Sequence, residues 1–175
     1  MKYSVYTFFI IILFSCTNPT PRRPVSHHTK SFFNESVERN KKINAFEENA
    51  IKQYIAQDSL NKYSISPNGF WFRYIHQIHG ENPKPKIGNQ VIFNYEISNL
   101  NDTVLYSFDE LGNASYFVDK EDIELGLQNG LKLLKEGEEV VFIFPSYNAF
   151  GIVGDNEKIG INQPLIYSVK LIKIK

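Results

Sequence analysis

Cysteine, tryptophan and methionine occur once each in the 175 residues. A lone thiol cannot close an internal disulfide, so the chain is held by its core and not by cross-links. Charge of one sign is also lacking: 19 Lys and Arg balance 19 Asp and Glu, for a formal net charge of +0. A nucleic-acid binder would need a basic stripe to meet the phosphate backbone, so nucleic acid is not expected as a partner. There is no nucleophile elbow, Walker loop, H-E-x-x-H or C-x-x-C, and no internal repeat. The four histidines, His27, His28, His76 and His79, are divided between a proline-rich tract and one loop edge. Neither metal, cofactor nor covalent chemistry is indicated.

What is present begins with an export pattern. Lys2 precedes the apolar run Val5 to Phe14, "VYTFFIIILF", which is too short to span a bilayer. This reads as a signal peptide over residues 1–15. The segment Leu13-Phe14-Ser15-Cys16 resembles the lipobox of bacterial lipoproteins, which implies that Cys16 becomes the lipid-bearing first residue of the mature chain. Two or three acyl chains, at about 0.8 kcal/mol per buried methylene, would anchor it stably in a membrane of the cell envelope. "TNPTPRRPVSHHTK", dense in proline and polar residues, then reads as a tether over residues 16–33.

From Asn34, a candidate N-cap, the pattern changes. Ile43, Phe46, Ala50, Ile51, Tyr54 and Ile55 recur at the spacing of one helical face, which predicts an amphipathic helix to about Asp58 within an extension covering 34–66. A helix of such modest propensity is not stable alone in water. Its apolar stripe must dock either on the following domain or on a second copy of the chain, making a homodimer.

Beyond "SISPNG" the period becomes that of strands. Phe70, Phe72 and Tyr74 alternate with Trp71, Arg73 and Ile75; Val91, Phe93 and Tyr95 share a face; "NDT" supplies a tight turn before "VLYSF". "SYFV" is a further short strand. A single helix is expected in this half, beginning near Asp119 with acidic Glu121 and Asp122 in its first turn, carrying Ile123, Leu127, Leu131 and Leu134, and closed by Gly137 at C′. "EEVVFIF" and "LIYSVKLIKI" are strands separated by a long glycine-bearing loop from Pro145 to Gln163. The plan is α+β, a curved antiparallel sheet wrapped on one short helix, whose open mouth makes an apolar pocket. The pairs Glu121/Asp122 and Glu138/Glu139 fit a helix-dipole partner and a solvated strand start better than acid–base catalysis. The many strand aromatics are either core or site.

In their order these residues resemble an FKBP-type peptidyl-prolyl isomerase domain, covering 67–175. The matching pieces are "GNQVIFNYEI", "NDTVLYS", "IELGLQNGLKLLKEGEEV", "FPSYNAFG" and "INQPLIYSVKLIKI". The lipobox, the helical extension and "DIELGLQNGLKLLKEGE" further resemble the gliding-motility-associated FKBP-type lipoproteins. The resemblance implies a proline-binding pocket. Tyr95 takes the place of the pocket tyrosine, Leu105 of a phenylalanine, Ile123 of the aliphatic that opens the helix, and Leu127 of the floor tryptophan. Phe150 takes the place of the tyrosine in Ala-Tyr-Gly, Ile159 of a loop aliphatic, Tyr167 of a phenylalanine in the last strand, and Tyr116 of a further aromatic wall. Glu124 stands where a backbone N–H receives a substrate carbonyl. Tyr106 stands where the family usually has an aspartate, and Phe150 lacks a hydroxyl its counterpart offers. The implied activity is rotation of Xaa-Pro bonds in exported polypeptides, without cofactor.

Overall fold

The computed structural model describes residues 29–175, with side chains from residue 33 on; the expected signal peptide, Cys16 and most of the tether lie outside the described residues. The elements, in chain order, are helix α1 (Thr29–Gln57), strands β1 (Ser64–Ile65), β2 (Trp71–His76), β3 (Gln90–Asn99) and β4 (Val104–Tyr106), helix α2 (Phe108–Leu111), strand β5 (Asn113–Phe117), helix α3 (Leu125–Leu131), and strands β6 (Glu139–Phe144) and β7 (Leu165–Ile174). The part of α1 from Val37 on belongs to one compact unit with the rest of the chain, Val37–Lys175.

One antiparallel sheet runs in the order β1-β2-β6-β7-β3-β4, with β5 also paired to β3. The two long strands, β3 and β7, form its centre, from Val91↔Ile174 to Asn99↔Leu165. Two short strands share the other edge of β3: β5 takes Gln90 to Asn94 and β4 takes Ile97 and Ser98. Between them α2 interrupts the edge.

The concave face carries the main core. Phe70, Val91, Phe93, Leu127, Leu131, Phe142, Phe144 and Tyr167 are buried there around α3. Gly126 is what lets α3 approach: a Cβ at that position would lie 2.5 Å from Phe144 Cδ1 and 2.7 Å from Asn148 O. On the convex face Ile51 of α1, wholly buried, packs with Trp71, Val141, Ile143 and Ile166. Burying such an isoleucine contributes about 2 kcal/mol, so the extension docks on its own domain within the chain.

The helical reading is corrected at several points. Helix α1 starts at Thr29, inside the expected tether, because Asn34 is exposed and its side chain can turn to water without breaking the helix. Its sheet-facing side runs through Glu47, Ile51 and Tyr54, while Phe46, expected on that side, is 77% exposed. The second half of the chain has two α-helices and a 3-10 turn over Ser146–Asn148, and not one helix. "FDEL" is too short to show a period, though Ser107 accepts the Glu110 N–H on its hydroxyl oxygen as an N-cap should. Finally α3 covers only the middle of the expected helix: Asp119 has φ 54 and Glu124 is extended, so the preceding residues form turns.

After α3 the apolar spacing continues through single turns, Leu133 N–H to Gly130 O and Leu134 N–H to Leu131 O. Gly137, with φ 89, therefore does not cap the helix; its N–H donates to Leu171 O at 2.7 Å in the turn entering β6. Glu138 is likewise not solvated. It is 1% exposed and accepts the N–H groups of Ile78 and Lys135 at 2.9 and 2.8 Å.

Candidate functional site

The concave face brings the expected site residues together in two layers. Leu127, Ile159 and Tyr167 are buried and form the floor. Tyr95, Leu105, Tyr106, Ile123 and Phe150 are partly buried and pack against the same cluster as walls. Tyr116, expected as a further wall, is a buried member of the same cluster, 1% exposed, with its hydroxyl oxygen accepting the Asp119 N–H at 2.9 Å. Its polar atom supports the turn before α3.

Strand register explains the aromatic row. Tyr95 of β3 lies diagonal to Tyr167 of β7, since Ile97 pairs with Tyr167 and Tyr95 with Val169. Their rings are parallel within 1° at 5.9 Å, and Phe144 meets Tyr167 edge-on at 5.1 Å. Adjacent residues of a regular strand point to opposite faces, yet Leu105 and Tyr106 both pack on the core. A bulge is the cause: Tyr106 pairs with Ile97 and Val104 with Ser98, so Leu105 is the extra residue.

Tyr106, expected where an aspartate stands in the family, donates its hydroxyl proton to Asp155 Oδ2 at 2.5 Å. A carboxylate therefore reaches this wall from the opposite loop. That hydrogen bond, then desolvation, pushes the Tyr106 phenol up to about 12. Asp155 Oδ1 also accepts the N–H groups of Glu157 and Ile159, each at 2.8 Å. Desolvation opposes ionisation of Asp155, but the hydrogen bonds from Tyr106, Glu157 and Ile159 hold its carboxyl below the usual range. Lys158 completes the clasp, with Nζ 4.4 Å from the Tyr106 ring centroid and paired to Glu110.

At the start of α3, Gln128 closes the opening turn: its N–H donates to Glu124 O at 2.9 Å and its amide to Ile123 O at 2.8 Å. Ile123 and Glu124 are thereby fixed at the rim. Desolvation pushes the Glu124 carboxyl up. The loop bearing Phe150 is tied at its base. Gly151 N–H donates to Ser146 O and Asn162 N–H to Gly151 O, both at 2.8 Å, and the buried Asn148 amide donates to Asn68 O and Gly69 O. Ser146 in turn donates its N–H and hydroxyl to Glu47 of α1.

The sequence reading missed Asp155, Gln128, Asn148 and Glu47. The Asx-type spacing of Asp155 to Glu157 was the only local signal among them.

Comparison with known proteins gives the class. A family model described as FKBP-type peptidyl-prolyl cis-trans isomerase matches residues 81–172, more than half of the chain. The chain belongs to that family. It is 32% identical over 124 residues to a probable FKBP-type peptidyl-prolyl cis-trans isomerase FkpA of Neisseria meningitidis, covering 71% of this chain and 43% of that protein. To the peptidyl-prolyl cis-trans isomerase Mip of Coxiella burnetii it is 32% identical over 108 residues, covering 62% of this chain and 46% of that protein. The chain thus spans less than half the length of these curated relatives. Among solved structures, FkpA of Escherichia coli has a TM-score of 0.62 at 20% identity, covering 100% of this chain and 82% of that one. A peptidyl-prolyl cis-trans isomerase of Pseudomonas syringae pv. tomato has a TM-score of 0.61 at 17% identity, covering 77% of this chain and 95% of that one. At these identities the structural likeness establishes the fold.

Proposed function

We infer that the protein is a peptidyl-prolyl cis-trans isomerase acting on exported polypeptides. The observation that carries this reading is the two-layered apolar site, with Tyr95, Leu105, Ile123 and Phe150 walling a floor of Leu127, Ile159 and Tyr167. Rotation about an imide bond must break amide resonance, a barrier of about 18–20 kcal/mol. No nucleophile is needed. A pocket that strips water from the imide and fits the twisted bond better than either planar form lowers the barrier by differential binding. The proline ring enters between the walls, and the Glu124 backbone N–H receives a peptide carbonyl.

Lipid on Cys16 anchors the domain at an envelope membrane, where it assists folding of envelope proteins such as those of a gliding or secretion apparatus. This part rests on the lipobox-like "LFSC" and the closer resemblance alone. Among the described residues no helix is long and apolar enough to cross a membrane. Exposed Phe46 on α1 supports the homodimer as a further part of the proposal.

A second reading, a non-catalytic chaperone-like or assembly module using the same pocket, is favoured by one feature, the missing hydroxyl at Phe150. A protease-coupled or exchange NMR assay on a short Xaa-Pro peptide separates the two. Isomerisation well above the uncatalysed rate is expected; turnover no faster than buffer overturns the enzyme reading and leaves the binding module.

A further inference from the structure

Among the described residues, only two buried side-chain polar atoms have no hydrogen-bond partner, Asn94 Oδ1 and Tyr167 Oη. Tyr167 is 0% exposed. Leaving a buried hydroxyl unpaired costs about 1–3 kcal/mol, while phenylalanine would fill the same shape without that cost. A tyrosine here is a liability to the folded domain unless something outside the chain pairs with it.

The ring's setting shows what the hydroxyl has around it. Tyr167 is clamped by the parallel ring of Tyr95 at 5.9 Å and the edge-on ring of Phe144 at 5.1 Å. Burial, then the nearby Glu124, Tyr95 and Asp155, push its phenol well above the ordinary range. The hydroxyl thus stays protonated, and the groups that surround it electrostatically belong to the start of α3, to β3 and to the loop at Asp155. Those elements also supply the site's walls.

An Xaa-Pro segment brings carbonyl acceptors but no N–H at the proline, so its complement is a donor. Other hydroxyls around the site are spent, held elsewhere or wet: Tyr106 donates to Asp155, Tyr116 is buried against the turn whose Asp119 N–H it accepts, and Tyr95 is only partly buried. Phe150 has none to give. The geometry points to Tyr167 Oη as a specificity-determining donor that hydrogen-bonds a backbone carbonyl of the bound prolyl segment from the floor of the site. This rests on the prolyl-binding reading of the pocket. It moves the site's polar contact from the rim, where Phe150 stands, to the floor.

The test is Tyr167→Phe in the full chain, with kcat/KM on an Xaa-Pro tetrapeptide, Kd for the same peptide by NMR titration, and Tm. Losing one donor of about 1 kcal/mol predicts a 5- to 10-fold fall in kcat/KM and a matching rise in Kd, with Tm unchanged or raised. Phe150→Tyr added to Tyr167→Phe should recover part of the loss. The inference is overturned by a Kd within twofold of the parent, or by losses that accompany a lowered Tm, since a hydroxyl with only a structural role gives that pattern. If the parent binds the peptide without turning it over, the isomerase reading falls and Kd alone decides the role of Tyr167. If the parent binds no prolyl peptide, both fall.

Discussion

Glu47 of α1 and Ser146 at the foot of the Phe150 loop are 99 positions apart in sequence and joined by two hydrogen bonds of 2.7 Å, from the Ser146 N–H and from its hydroxyl. Both residues are almost wholly buried. Ser146 O accepts the Gly151 N–H one step further on. A residue of the N-terminal extension therefore sets the base of the loop that carries a wall of the site.

Removing that carboxylate strands two buried donors, at about 1–3 kcal/mol for each group left unpaired. Glu47→Ala is expected to lower stability by on the order of 3 kcal/mol and to lower kcat/KM, while Ser146→Ala, which loses one bond, costs about 1 kcal/mol. Urea denaturation with m-values, alongside the peptide assay, checks the order. Equal costs for the two variants would show that the carboxylate does not hold the backbone.

At the rim, Phe150→Tyr restores a hydroxyl that could meet the bound peptide. An extra hydrogen bond of about 1 kcal/mol should raise kcat/KM several-fold. Unchanged or lower turnover would mean that this loop does not touch substrate.

The clasp between β4 and the opposite loop predicts a graded series. Tyr106→Phe removes one donor from Asp155, whereas Asp155→Ala releases Tyr106 and the N–H groups of Glu157 and Ile159 together. Faster amide exchange of Ile159 and a larger loss of kcat/KM are expected for Asp155→Ala than for Tyr106→Phe. A smaller effect of Asp155→Ala would show that the carboxylate does not position this loop.

Glu124 predicts a pH dependence of stability. Desolvation raises its folded carboxyl above the unfolded value of about 4.3. The folded state then binds the proton more tightly, so the contribution is fully present below about pH 4 and is lost as pH rises through the raised folded value. Glu124→Gln, which cannot ionise, should therefore raise Tm at neutral pH, with the gain shrinking towards pH 4. Its backbone N–H is retained, so turnover should persist. A gain in Tm that is independent of pH would show that burial does not raise the Glu124 carboxyl in the folded state.

Much of the fold was legible because it rests on local periodicity. Val91, Phe93 and Tyr95 alternate along β3 as written, and the "NDT" turn before β4 is held by Asn99 Oδ1 accepting the N–H groups of Asn101 and Thr103. Helix boundaries were less legible. The segment from Asp119 to Glu124 forms turns, in which Tyr116 Oη meets the Asp119 N–H, a contact set by packing. The apolar period could not find Glu47 either, because a charged side chain belongs on the buried side only where two donors await it.

By itself the sequence determined the α+β plan, the family and the apolar character of the residues on the concave face, since these follow from strand alternation and from ordered residues resembling one family. Only the tertiary structure decided how those walls are held. Glu47 beneath Ser146, Asp155 against Tyr106 and the unpaired hydroxyl of Tyr167 each depend on donors and acceptors meeting, or failing to meet, across distant segments. Hydrogen bonding is directional and short-ranged, so such pairings exist only once the core has brought the segments within reach.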